Sequence, residues 1–114
     1  MRTIKSFKYA WNGLRTTWKE ESNFRVEILA AFLVILSIFI FNFSLLESAL
    51  LVFAITLVLV SEIINTIVED LCNKIESNQD QVIGKIKDMA AAFVLLSSVC
   101  SVVIACLVFY SHFM

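Results

Sequence analysis

Residues 48–68 read SALLVFAITLVLVSEIINTIV, and this stretch decides the fold. It is long enough to cross a bilayer, which takes about 20 mostly apolar residues. Its interruptions, Glu62 and Asn65, sit toward one end. Backbone in hydrocarbon must satisfy its own hydrogen bonds, so the stretch is predicted to be a helix. Two further runs have the same character: 28–46, broken only by Asn42 and two serines, and 89–110, which carries no charge. Of the 114 residues 60% are hydrophobic, proline is absent, and the only glycines are Gly13 and Gly84. With so few breakers and no strand-like alternation, the expected class is an all-α integral membrane protein forming one domain over 1–114.

The segment 1–26 differs. Ile4, Phe7, Trp11, Leu14 and Trp18 recur at steps of three and four, on one helical face, while Arg2, Lys5, Lys8, Arg15 and Lys19 occupy the others. A basic amphipathic helix with tryptophans is expected to lie in the membrane interface. No cleavable signal sequence is expected, because no apolar core and small-residue cleavage site follow the basic start. Six of the nine basic residues lie at or before Arg25, and Lys74, Lys85 and Lys87 fall between the second and third spans. By the positive-inside rule the N-terminus is expected in the cytoplasm and the C-terminus outside. The formal net charge of −1 gives no support to a nucleic-acid partner. Cys72, Cys100 and Cys106 are odd in number and form no CxxC, so they read as small buried hydrophobes.

Chemistry concentrates in three places. Glu62, Asn65 and Glu69 stand at i, i+3 and i+7 on one helix face, and Asn73 extends the stripe by a turn. A carboxylate at the depth of Glu62 costs at least a few kcal/mol in a membrane, which makes it a functional candidate, with helix-to-helix polar contact as the bland alternative. A second acidic cluster, Glu20-Glu21-Ser22-Asn23-Phe24-Arg25-Val26-Glu27, precedes the first span, and Gly84-Lys85-Ile86-Lys87-Asp88 precedes the third. Boundary charges of this kind often do no more than face water or anchor topology. Together, however, the three clusters supply acids for a hard cation such as Mg²⁺, a base for a hydroxyl, and cations for phosphates. The chain has no glycine-rich phosphate loop, which excludes P-loop and protein-kinase folds. A small proton-coupled transport subunit is the alternative of a different class, and a holin-like pore former a third. Transport predicts polar residues along both halves of a pathway, whereas the outer half of 48–68 and nearly all of 89–110 are apolar. Ser97, Ser101 and Ala105 form a small-residue stripe that favours close helix packing under any of these readings. His112 lies at the end away from these clusters.

Glu62-Ile63-Ile64-Asn65-Thr66-Ile67-Val68-Glu69 resembles the signature E-x-x-N-[ST]-x-x-E of the prokaryotic diacylglycerol kinases, a family that also includes undecaprenol kinases. Trp11-Asn12-Gly13-Leu14-Arg15, Glu21-Ser22-Asn23-Phe24-Arg25, Lys87-Asp88-Met89-Ala90 and the tail Tyr110-Ser111-His112-Phe113 agree with it in nearly continuous register. The resemblance implies a bacterial inner-membrane lipid kinase that uses Mg·ATP to convert diacylglycerol to phosphatidic acid, as a homotrimer with active sites shared between subunits. It implies Glu62 as general base, Asn65 as the residue that orients it or the phosphates, and Glu21 and Glu69 as Mg²⁺ ligands. Lys87 is expected on the ATP phosphates, Asp88 on the sugar, and Arg2 and Tyr9 near the nucleotide. Arg15, Trp18, Asn23, Phe24, Arg25, Glu27 and Ala91, with Glu62, are expected on the lipid side. Asn73 stands where the family usually has aspartate, and Asp80 where it has histidine. Ala91 stands where Gram-negative diacylglycerol kinases often carry serine, which leans toward the undecaprenol branch.

Overall fold

The computed structural model describes residues 2–114; the side chain of Arg2, an expected nucleotide contact, lies outside the described residues. Four helices follow one another: α1 (Arg2–Glu20), α2 (Ser22–Ile40), α3 (Leu45–Ile75) and α4 (Gln81–Phe113). The last three are each long and apolar enough to cross a membrane.

The amphipathic segment ends earlier than the sequence pattern suggests. Glu21 adopts extended backbone (φ −115°, ψ 108°) and separates α1 from α2. Arg25 Nη1 then donates to the carbonyls of Trp18 (2.7 Å) and Lys19 (3.2 Å). A helix leaves its last carbonyls without partners, and a cation there also complements the negative end of the helix dipole. Arg25 therefore closes α1 and fixes the angle at which α2 departs. The helix that carries the apolar run 28–46 begins at Ser22 and ends at Ile40, where Asn42 takes a left-handed conformation (φ 53°) that asparagine tolerates better than most residues. Ser44 and Glu47 then form a capping box: Glu47 N–H donates to Ser44 Oγ (3.1 Å), and Ser44 N–H donates to Glu47 Oε1 (2.8 Å). The helix over the 48–68 stretch extends to Ile75, and α4 begins at Gln81, where Asp80 caps the N–H groups of Val82 and Ile83.

Packing is most extensive between α3 and α4, less between α2 and α3, and less again between α1 and α2. Small residues make the α3–α4 approach possible. Ser101 Oγ, buried, sits 2.8 Å from the carbonyl of Ala54 across the interface and 2.9 Å from that of Ser97. Leu51 and Ala54 are buried on the facing side of α3. At the end carrying the α2–α3 turn, Phe41, Phe43, Phe109 and Phe113 meet edge-on, and His112 bridges Glu47 Oε1 (3.1 Å) and the Phe41 carbonyl (3.0 Å). Many large apolar side chains are left uncovered, including Phe32, Phe39, Leu96 and Val102 on the spans and Ile4, Phe7 and Trp11 on α1. Apolar surface on this scale is what lipid or further subunits cover.

Candidate active site

The polar stripe of α3 meets the rest of the site at the end of the bundle opposite the phenylalanine cluster. Glu62 is only 4% exposed. Its carboxyl lies within hydrogen-bonding reach of Glu27 on α2 and within electrostatic reach of Glu21 and Glu69. Hydrogen bonds within the helix brace this turn: Thr66 Oγ1 donates back to the Glu62 carbonyl (3.0 Å), and Ser61 Oγ to that of Val58 (2.8 Å). One turn on, Asn65 Nδ2 donates to Glu69 Oε1 (3.2 Å). That bond orients the amide and one carboxylate oxygen together. It also leaves Asn65 Oδ1 buried and without a partner, and Glu27 Oε2 is in the same state. Buried polar atoms are nearly always paired. Two orphaned acceptors in one acid-rich site mark where a donor or cation belongs.

Glu21, at the α1–α2 break, joins this group. Partial burial raises its carboxyl above the ordinary range, and the neighbouring charges of Glu69, Asp70 and Glu20 raise it further. Among the described residues no lysine or arginine forms an ion pair with these acids; the one salt bridge found joins His112 to Glu47. Nor do three metal-ligating side chains converge there on a single point. The donor set nonetheless fits Mg²⁺, which prefers hard oxygen and ordinarily takes one or two carboxylates from protein and the rest from phosphates and water. Glu21 and Glu69 are the residues that would hold it.

Lys87, on the second turn of α4, donates from Nζ to Asn73 Oδ1 at 2.6 Å. It lines a cleft of about 520 Å³ with Ser77, Asn78, Gln79, Asp80 and Gly84. A second cleft of about 360 Å³, almost wholly apolar, lies between α1 and α2 and brings together Trp11, Leu14, Arg15, Trp18 and Phe24. Arg25 is engaged in capping α1. Tyr9, Asn23, Asp88 and Ala91 are exposed, and among the described residues no hydrogen bond ties them to the acids. Two contacts were not visible in the sequence: Glu27 against Glu62, and Asn73 against Lys87. Asn73 did fall on the stripe, but its partner lies on another helix. Glu27 carried no local signal for its pairing.

Three membrane-length helices preceded by an amphipathic one, with acids from α2 and α3 gathered at one end and a lysine of α4 beside the α3–α4 loop, define a polytopic membrane protein with a cluster of polar and acidic side chains at one end of the bundle. The profile of the prokaryotic diacylglycerol kinase family matches residues 8–109. The chain is 33% identical to the diacylglycerol kinase of Escherichia coli (strain K12) over 112 residues, covering 98% of this chain and 92% of that protein. It is 30% identical to that of Haemophilus influenzae over 94 residues (82% and 80% covered) and 34% identical to that of Helicobacter pylori (strain 26695) over 96 residues (83% and 74%). The chain belongs to the prokaryotic diacylglycerol kinase family.

Proposed function

We propose that this protein transfers the γ-phosphoryl group of ATP to the free hydroxyl of diacylglycerol, yielding phosphatidic acid and ADP at the cytoplasmic face of the bacterial inner membrane. The observation that carries the reading is the buried Glu62 carboxyl, set against Glu27 and beside the Glu21–Glu69 pair, with unpaired acceptors on Glu27 and Asn65. Glu62 takes the proton from the lipid hydroxyl as the new O–P bond forms. The bond from the γ-phosphorus to the β,γ-bridging oxygen breaks, and ADP leaves with that electron pair. Asn65 fixes the Glu69 carboxylate and offers Oδ1 to a donor in the site. Glu21 and Glu69 would hold Mg²⁺, which when bound would neutralise charge on the phosphates. Lys87 supplies a second cation from the cleft side.

The depth of the site fits two substrates arriving from different phases. A helix of 31 residues such as α3 is about 46 Å long at 1.5 Å per residue, against roughly 30 Å of hydrocarbon. Its last turns, with Glu69 and Asn73, therefore reach the interface. Lysines at both cytoplasmic boundaries favour this orientation. The apolar cleft under Trp18 and Arg15 suits a lipid entering sideways, with the acyl chains left in the membrane. The uncovered faces of the spans leave room for two further copies in a trimer. Ala91 leans toward undecaprenol as the alternative acceptor, so the acceptor is tested directly.

The experiment is transfer of labelled γ-phosphate from ATP in mixed micelles containing diacylglycerol, undecaprenol or both. Labelled phosphatidic acid is the expected product, and preferential labelling of undecaprenol would overturn the acceptor. Glu69→Ala should raise the Mg²⁺ concentration needed for half-maximal rate at least tenfold. An unchanged Mg²⁺ dependence removes Glu69 from the metal site.

A further inference from the structure

The α3 stripe does not end with the acids. One turn beyond Glu69, Asn73 presents its amide oxygen to Lys87 Nζ at 2.6 Å, joining the last turns of α3 to the second turn of α4. An amide oxygen is a neutral acceptor, and an ammonium has three N–H donors. One donor is spent on Asn73. Two donors remain, with no charge offset by the tether itself, for an anion in the cleft of about 520 Å³ that Lys87 lines with Gly84 and with Asp80, whose Oδ1 is engaged in capping α4. A carboxylate at position 73 would hold the lysine equally well but would offset the charge a phosphate needs. An alanine would leave charge and chain intact but let the long side chain wander.

We propose that Asn73 is a positioning residue, a neutral tether that aims Lys87 at the phosphates and sets the affinity for the nucleotide without taking part in the chemical step. The inference rests on the reading that Lys87 meets ATP phosphates. Its test is built so that the two can fail separately.

The full-length protein is assayed in diacylglycerol mixed micelles at saturating Mg²⁺, with ATP and lipid varied in turn, for the parent, Asn73→Ala, Asn73→Asp and Lys87→Ala. Asn73→Ala is expected to raise KM for ATP three- to tenfold, with kcat and the lipid KM within twofold of the parent and an unchanged thermal midpoint. Asn73→Asp should also raise KM for ATP, because the lysine is still held but is now neutralised. Lys87→Ala should raise it more than either. If Lys87→Ala leaves KM for ATP unchanged, the role given to Lys87 falls and the tether falls with it. If Lys87→Ala raises KM while Asn73→Ala stays within twofold, the tether alone is refuted. A lower KM in Asn73→Asp refutes the requirement for neutrality. A loss of kcat and thermal midpoint together in Asn73→Ala, at unchanged KM, shows a structural contact only and also refutes the proposal.

Discussion

Glu62→Gln separates chemistry from architecture more sharply than any other single change. The substitution keeps the side-chain volume at a position that is 4% exposed, so no cavity opens. It also permits a hydrogen bond to Glu27, because the new amide nitrogen can donate to the Glu27 carboxyl, one oxygen of which has no partner. One of the four acids clustered here is neutralised, which removes repulsion from Glu21 and Glu69. The fold should therefore be no less stable. Catalysis should suffer heavily, since a positioned general base is worth roughly 10²–10⁴-fold. At 1.36 kcal/mol per tenfold that is about 3–5 kcal/mol on the barrier. The assay is the initial rate of phosphatidic acid formation at saturating ATP and lipid, beside thermal unfolding of the same preparation. The expected pattern is a kcat at least a hundredfold down with a thermal midpoint equal to or above the parent's. A kcat within threefold of the parent, in protein that melts normally, would falsify the assignment of the base.

Mg²⁺ at a hundred times its dissociation constant should stabilise the parent by about 2.7 kcal/mol, and Glu21→Gln or Glu69→Gln should shrink that gain; an equal gain in all three proteins places the ion elsewhere. Because the folded protein holds the Glu21 carboxyl above its ordinary 4.5, the folded state binds protons that the unfolded chain has released. The contribution of Glu21 to metal-free stability should therefore be lost as pH rises from 4.5 through the raised range, so thermal melts across pH should show a smaller fall over that range in Glu21→Gln than in the parent. Ser101→Ala removes a hydrogen bond between α4 and the Ala54 carbonyl of α3 and should cost about 0.6 kcal/mol in reversible unfolding, the average for such bonds in membranes; a cost above ~2 kcal/mol would mean that the packing itself had rearranged. Arg25→Ala frees the terminal carbonyls of α1, so limited trypsin digestion should cut after Lys19 faster than in the parent, and an unchanged rate refutes the capping role.

Much of this was open to reading in the primary structure. A bilayer tolerates few backbone forms, so three long apolar runs implied three helices, and α2, α3 and α4 are those helices. The 3.6-residue period put Glu62, Asn65 and Glu69 on one face, and the Asn65–Glu69 hydrogen bond follows from that spacing alone. Helix ends were less legible. Apolar character runs without a break from Ile40 into Phe41, and the chain turns because Asn42 goes left-handed and Ser44 captures Glu47, details on the scale of single hydrogen bonds. The division of 1–26 at Glu21 was hidden likewise, since its cause is Arg25 reaching back over six and seven residues.

The amino-acid order by itself settled that the chain is helical, membrane-spanning and armed with a row of acids on its second span, because each of those is a local property of composition and period. Only the tertiary structure decided that Glu27 faces Glu62, that Glu21 feels Glu69, and that Lys87 rests on Asn73. Those pairings depend on how far each helix is rotated and slid along its neighbour. For the Lys87–Asn73 pair, small residues such as Ala54, Ser97 and Ser101 let α3 and α4 close on one another.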